Sequence, residues 1–405
     1  MKTEPAYDPK LPLAGIRVLE MGQLIAGPFA GQILAAYGAE VVKIEPPGRG
    51  DPLRTWRELD DKGCSYWWRS IARNKKSVTL DLAQESGCDI ARQLLLKSDV
   101  LIENFRPGRM EAWGLGPDAF SLTHPQLIYT RVSGYGQDGP YAVKPGFASA
   151  CEAVAGLRYV NGHPGDKPVR LNLSLGDSLA GMHAALGVLL ALIARMRPGG
   201  VGQSVDVSIM ESVFNMMEGV LPEYAGAGVV REPSGSTVTG IVPTNTYQCR
   251  DGRFIVIGGN GDSIFQRLMR AVGQPELASD ERLASNQGRV AHEALIDEAL
   301  AGWSITLDSN VALEILDGAD VPAGPVNSIA DIANDEQFKA RGVLEQIEVA
   351  GEPFTVPAMH PRLSSTVARN DWAGPELGQH TQEVLTNWLG ADSLQIEQWQ
   401  KQKLV

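Results

Sequence analysis

Asp177 has more chemistry around it than any other residue in this sequence. The run Leu171 to Ser178 reads Leu-Asn-Leu-Ser-Leu-Gly-Asp-Ser and passes into an Ala/Leu-rich stretch, so Asp177 or Ser178 stands where a helix N-cap belongs. A carboxylate there meets unpaired N–H groups and the positive end of the helix dipole, which keep it ionised and positioned as a nucleophile must be. An ordinary N-cap carries the same signature. Basic residues gather in two places: Arg69, Arg73, Lys75 and Lys76 before one predicted strand, and Arg106 and Arg109 after another. Ligands of open α/β sheets lie beside the carboxyl ends of strands, so Arg106 and Arg109 are candidate phosphate contacts, although a solvated charge cluster looks the same. In Ile257 to Asp262 the residues Gly258, Gly259, Asn260 and Gly261 permit backbone conformations that others avoid, which suits a lid over a ligand or a plain loop. Trp67 and Trp68 serve either to line a pocket or to fill a core.

The elements that must position these groups alternate strand and helix, which predicts a parallel α/β sheet. Strands are expected at Ile16 to Glu20, Glu40 to Glu45, Ser77 to Leu82, Val100 to Glu103, Leu127 to Val132 and Val205 to Val207, with helices at Gly27 to Tyr37 and Leu179 to Ala194. The first strand–turn–helix invites a dinucleotide site, but its turn, Met21 to Pro28, lacks the Gly-x-Gly-x-x-Gly that lets a backbone approach a pyrophosphate, so NAD is not expected. The organisation predicted is a large Rossmann-like α/β domain over 1–220, a linker over 221–245, a smaller α+β domain over 246–328 opened by a hairpin around Asp251-Gly252, and a return to the large domain over 329–405.

The balance of 36 basic against 48 acidic residues leaves a net charge of −12, the wrong sign for nucleic-acid binding over a whole surface. The run Leu179 to Ala194 is short of a bilayer span and reads as a buried helix. The polar segment Met1 to Leu11 resembles neither a secretory nor a transit peptide, so a cytoplasmic location is expected, with no membrane partner. Cys64, Cys88, Cys151 and Cys249 are scattered singly and the six histidines form no close-spaced ligand set, so no metal is expected.

Eight ordered segments carry a resemblance: PLAGIRVLEMGQLIAGPFAGQILAAYGAEVVKIEPPGRGDPLR, RNKKSVTLDL, VLIENFRPG, VSGYGQDGPY, LSLGDSLAGMHAALGVLLAL, GQSVDVSIMESV, VPAGPVNSIADIANDEQFKARG and LGQHTQEVL. Together, from about Leu11 to Leu389, they resemble the family III CoA-transferases, the group of formyl-CoA transferase and carnitine CoA-transferase. The resemblance implies transfer of coenzyme A from an acyl-CoA to a free organic acid within an interlocked-ring homodimer, with Asp177 as the nucleophile. It implies that CoA lies near Ile25 and Ala26, Pro46, Leu80, Asp81, Leu82 and Ala83, and Asn104, Phe105 and Arg106, with Lys75 or Arg109 on a phosphate. Trp67 falls where the family places an aromatic beside the acyl group, and Gly258 to Gly261 match the family's glycine-rich loop over the active site. Likeness to dicarboxylate-using members makes succinyl-CoA or a related dicarboxylyl-CoA the expected donor, with Arg69 and Arg170 as partners for its distal carboxylate.

Departures narrow the expectation. Formyl-CoA transferase has an Arg where Pro46 stands and a Glu after its pocket tyrosine, where this chain reads Phe147-Ala148, so its oxalate contacts are not reproduced. The α-methylacyl-CoA racemases of the same family pair an Asp with a His; the Asp matches Asp177, but the His falls at Phe147, which cannot exchange a proton. Racemisation is the alternative reading, and a non-catalytic CoA-binding scaffold, against which Asp177 and the glycines argue, is the other.

Overall fold

The structure, a computed structural model, describes residues 10–405, so most of the N-terminal segment read above for targeting lies outside the described residues. The chain divides into two compact units, the first comprising residues up to Leu157, Leu171–Glu218 and Gln337–Val405, the second Arg158–Arg170 and Gly219–Glu336.

Short β-branched runs such as Val-Leu-Ile and Val-Val-Lys-Ile suit strands covered on both faces. In the first unit they form β1 (Arg17–Glu20), β2 (Glu40–Glu45), β3 (Lys75–Thr79), β4 (Val100–Glu103), β5 (Ile128–Ser133) and β6 (Ser204–Ser208). All six pair in parallel in the order β3-β2-β1-β4-β5-β6, with Val18 opposite Val41 on one side and Val100 on the other. The order reverses between β1 and β4, and ligands of such sheets bind beyond the strand ends at that reversal. Alternation along each strand supplies two cores. Val18, Val41, Val100 and Ile128 face α1 (Ala26–Ala36) and the long helix Leu175–Arg195. Leu19, Val42, Leu101 and Tyr129 face α3 (Glu85–Leu95) and the helix Thr381–Leu389.

The long helix, 21 residues of mainly apolar side chains, is long enough to cross a bilayer by composition, yet its small-residue face packs on the sheet and α1. Ala180, Gly181, Ala184, Ala185 and Val188 are buried, whereas Met182, Leu186, Leu190 and Ile193 on the opposite face are exposed. The expectation of a wholly buried helix is thus half correct, because only one face meets protein within this chain.

In the second unit β7 (Thr244–Gln248), β8 (Phe254–Gly258) and β9 (Ala323–Pro325) form an antiparallel sheet, with Gly252 in the left-handed region at the hairpin turn. The expected linker over 221–245 instead belongs to this unit and overlaps the helix Val220–Ala227; Arg158–Arg170 joins it as well. The chain returns to the first unit at Gln337 and not at 329, because the helix Ile329–Asn334 is tied to the small sheet by an Arg253–Asp331 ion pair of 2.7 Å. After the return come a hairpin of β10 (Leu344–Val349) and β11 (Glu352–Pro357) and the C-terminal helices.

Below the carboxyl ends of β1 to β3 lies a buried ionic network. Lys43 Nζ is 3.0 Å from both Glu20 and Asp51, Lys75 Nζ is 2.7 Å from the other Glu20 oxygen, and Arg54 meets Glu45 at 2.7 Å. Three cations therefore balance three carboxylates, Glu20, Glu45 and Asp51, all nearly inaccessible to water. Burial alone would raise the Glu20 carboxyl, but Lys75 and Lys43 hold it below its ordinary range. Gly31 faces this network so closely that a Cβ would fall 1.9 Å from Glu20 Oε2. Glu20→Gln, which leaves two ammonium groups without their shared counter-ion, is expected to lower unfolding free energy by about 3–5 kcal/mol in a denaturant titration. Gly31→Ala is expected to destabilise in the same assay.

Candidate active site

A cavity of about 320 Å³ opens at the carboxyl ends of the strands, on the reversal between β1 and β4. Its walls are Met21 and Gln23 after β1, Ile44, Glu45, Pro46 and Arg49 at the end of β2, Leu80, Asp81, Leu82 and Ala83 after β3, and Phe105, Arg109 and Trp113 after β4. Of the residues expected near CoA, Pro46, Leu80, Asp81, Leu82, Ala83, Phe105 and Arg109 line this cavity. Ile25, Ala26, Lys75, Asn104 and Arg106 do not.

The reasons differ. Asn104 acts on the backbone: its Oδ1 accepts from Gln23 N at 2.7 Å and its Nδ2 donates to Gln23 O at 2.8 Å, clamping the loop that forms one wall. The same loop is held from below, where Asp51 accepts from Leu24 N and Lys43 donates to Gly22 O, so Leu24 keeps a left-handed φ of 62°. Ile25 and Ala26 are buried at the start of α1. Arg106 is exposed outside the wall. Lys75 corrects the expectation outright. It is fully buried, bonded to Glu20 and donating to Pro28 O, and no phosphate can reach it.

The whole basic cluster is in fact structural, and Lys75 and Lys76 begin β3 themselves, two residues before the strand start expected at Ser77. Arg69 is consumed by Asp60, Glu376 and Gly374 O, Arg73 by Ser70 O and Pro357 O, and Lys76 by Glu40 and Glu383. Arg69 therefore has no free face for a distal carboxylate, and Arg170 lies in the second unit, exposed. Arg49 is the cation that sequence reasoning passed over. It sits in the turn Pro46 to Gly50, where Gly48 and Gly50 have positive φ, and a Gly-Arg-Gly turn at the end of a sheet strand was its signal.

Asp177 stands in the first turn of the long helix, whose N-cap position is Ser174 and not Asp177 or Ser178. The start moves upstream because the Gly176 amide finds its acceptor elsewhere: buried Glu152, on the helix Ala148–Val154, accepts it at 3.0 Å. Gly176 must be small here, since a Cβ would lie 3.0 Å from Ile209 Cγ2 and 3.1 Å from Glu152 Cγ. Asp177 is half-buried, and it acts on its surroundings. Burial pushes the nearby Cys151 thiol up to about 11, the Tyr135 hydroxyl opposing and the Asp177 carboxylate adding to the rise. Gly134 and Gly146 touch at this point; a Cβ on either would lie 3.3 Å from Cys151 Sγ and about as close as 3.0 Å to the other glycine. Phe147, next to Gly146, is 71% exposed and so is not a core residue.

Trp67 and Trp68 divide the two readings offered by sequence. On α2 (Tyr66–Ile71), capped by Ser65, Trp68 is buried against the Arg54 guanidinium at 3.8 Å and donates to Pro375 O, whereas Trp67 is half-buried against the cluster of Ile25, Leu53, Cys64, Trp68 and Ala72. In the second unit, Gly258, Gly259 and Gly261 do not use left-handed backbone. Close packing explains Gly259, where a Cβ would fall 2.4 Å from Leu268 Cδ2, and buried Arg289 donates to Asn260 O at 2.7 Å. The segment is pinned within its own unit.

The profile of CoA-transferase family III matches residues 13–381. The chain belongs to CoA-transferase family III. It is 43% identical over 399 residues to a succinyl-CoA–D-citramalate CoA-transferase of Chloroflexus aurantiacus, covering 98% of this chain and 99% of that one. It is 41% identical to the alpha subunit of a succinyl-CoA–L-malate CoA-transferase of the same organism, over 100% and 95% of the two chains. A crystal structure of a CaiB/BaiF family protein from Brucella suis superposes with a TM-score of 0.83 at 32% identity, over 94% of this chain and 100% of that one. The protein is thus a CoA-transferase acting on CoA thioesters, with the mixed α/β fold of its relatives.

Because Glu152 supplies the acceptor for the first turn of the long helix, Glu152→Ala is expected to cost about 1 kcal/mol of stability, as loss of a helix cap does. Denaturant titration measures this, and CoA-transfer activity is expected to fall with it.

Proposed function

We propose that this enzyme transfers coenzyme A from succinyl-CoA to a small dicarboxylic acid of the malate and citramalate class, with Asp177 as the nucleophile. The observation that carries the reading is the 41–43% identity, over nearly the full chain, to transferases whose names share the succinyl-CoA donor and a hydroxydicarboxylate acceptor. A succinate–glutarate CoA-transferase of Agrobacterium fabrum, 32% identical over 93% of this chain, supports the donor class.

The chemistry follows from a carboxylate at the positive end of a helix. An Asp177 oxygen attacks the thioester carbonyl, the C–S bond breaks, and succinyl-aspartyl anhydride and CoA thiolate result. The thiolate attacks the Asp177 carbonyl, releasing succinate and leaving an aspartyl-CoA thioester. The acceptor carboxylate opens that thioester to a second anhydride and thiolate, and attack of the thiolate on the acceptor carbonyl yields the new acyl-CoA and restores Asp177. Each bond broken is replaced by one of similar energy. Anhydrides hydrolyse readily, so the site must exclude water while one acid leaves and another enters. The nucleotide end of CoA belongs, on this reading, in the cavity over β1 and β4, with Arg49 and Arg109 on its phosphates and Arg106 at the approach. The exposed apolar face of Met182, Leu186, Leu190 and Ile193 supports a homodimer, the assembly that the family resemblance implies.

Incubation with succinyl-CoA followed by hydroxylamine is expected to place a hydroxamate on the Asp177 peptide, read by mass spectrometry, and Asp177→Asn is expected to abolish both the adduct and transfer. An active Asp177→Asn protein overturns the mechanism. Arg49→Ala and Arg109→Ala are each expected to raise KM for the CoA donor roughly tenfold with little change in kcat, the mark of lost ground-state binding.

A further inference from the structure

Between the 3-10 turn Pro52–Thr55 and α2, the chain makes a tight excursion whose tip is rigidly built. Tyr66 N donates to Glu58 O at 3.1 Å, Leu59 bridges Ser65, and Asp60 accepts from Cys64 N at 2.9 Å and from Arg69 Nε at 2.9 Å. At one end of it stands Arg57 with a φ of 59°. A left-handed backbone is easy for glycine and costly for a long side chain, so an Arg there points to a use of the side chain. That side chain does not pair with any carboxylate among the described residues. It lies instead over the Trp67 ring, 4.1 Å from the centroid, with Trp56 tilted against the same ring at 6.4 Å.

The arrangement contrasts with its neighbours. Arg54, Arg69 and Arg73 on the same stretch are all buried and spent on structural partners. Arg57 is exposed and held only by stacking. Packing also links its platform to the helix that carries Asp177. One turn beyond Asp177, Gly181 approaches α1 so tightly that a Cβ would lie 2.8 Å from Ala26 O, and Ile25, just before Ala26, packs in one cluster with Trp67. A cation stacked on an aromatic face, beside an exposed indole, fits a ligand that has methylene groups ending in a carboxylate: the methylenes lie on the rings and the guanidinium binds the terminal oxygens in a fork.

We propose that Arg57, presented on Trp67, binds the distal carboxylate of the dicarboxylyl group carried by CoA and so selects dicarboxylyl thioesters over monocarboxylyl ones. The assignment rests on the succinyl-CoA reading above. It makes Arg57 a specificity-determining residue and gives its strained backbone a use.

The test compares succinyl-CoA with butyryl-CoA, which has the same chain length and a methyl group in place of the distal carboxylate, as donors to one acceptor. Arg57→Gln is expected to lower kcat/KM for succinyl-CoA roughly 10- to 100-fold, the range for loss of a charged hydrogen bond, and to leave the butyryl-CoA value within about threefold. Arg57→Lys is expected to fall between. Arg57→Gly relieves the backbone, so its Tm is expected not to fall while its selectivity is lost, a combination that a purely structural role cannot produce. Equal losses for both donors, which a contact to the CoA moiety would give, or no loss with succinyl-CoA overturn the assignment of Arg57 alone. A wild-type enzyme that transfers from butyryl-CoA but not from succinyl-CoA overturns the donor reading and the assignment with it.

Discussion

The arrangement of the first unit depends on a buried set of six charges, Glu20, Lys43, Glu45, Asp51, Arg54 and Lys75, packed beneath the carboxyl ends of three neighbouring strands. Isolated charges cannot stay ionised in such a place, and each is retained because its partners and backbone groups satisfy it. The consequence is positional. Asp51 and Lys43 hold the backbone of the loop after β1, Glu45 holds the Asp51 amide and Arg54, and Arg54 underlies Trp68. One network therefore fixes the wall of the ligand cavity, the start of α1 and the base of the tryptophan platform.

The electrostatics of the chain become intelligible on that basis. An acidic protein that must bind a polyanionic cofactor spends most of the basic side chains near its sheet on internal carboxylates, and leaves Arg49, Arg106 and Arg109 at the surface around the cavity. Cations held internally shape the site, and the exposed ones are available to a phosphate. The distinction also separates Arg57 from Arg54 and Arg69, which lie close to it along the chain and have no free face.

Asp177 is prepared differently. Its helix begins at Ser174 and not at Asp177, and Glu152 from another helix accepts from the Gly176 amide in the first turn. The glycines around it, Gly134, Gly146 and Gly176, allow backbone and side chains to approach within contact distance where any Cβ would intrude. On the proposed mechanism, carboxylate attack on a thioester needs this kind of fixed placement more than it needs an added acid or base.

Strand periodicity was legible in the sequence by itself: the bounds of β2 and β4 fall where the apolar runs place them, because strands covered on both faces leave few alternatives to Val, Ile and Leu. The ordered motifs likewise carried the family and the candidate nucleophile, since chemistry constrains residue type at those points. Tertiary structure alone decided which cations are free, because Lys75 and Arg109 look alike in sequence and differ only in whether a carboxylate from another strand has claimed them. It decided that the helix begins at Ser174, that one of two adjacent tryptophans is buried and the other half-exposed, and that 158–170 and 329–336 belong with the second unit. Each of these depends on a partner distant in the chain, and local spacing contains no information about such a partner.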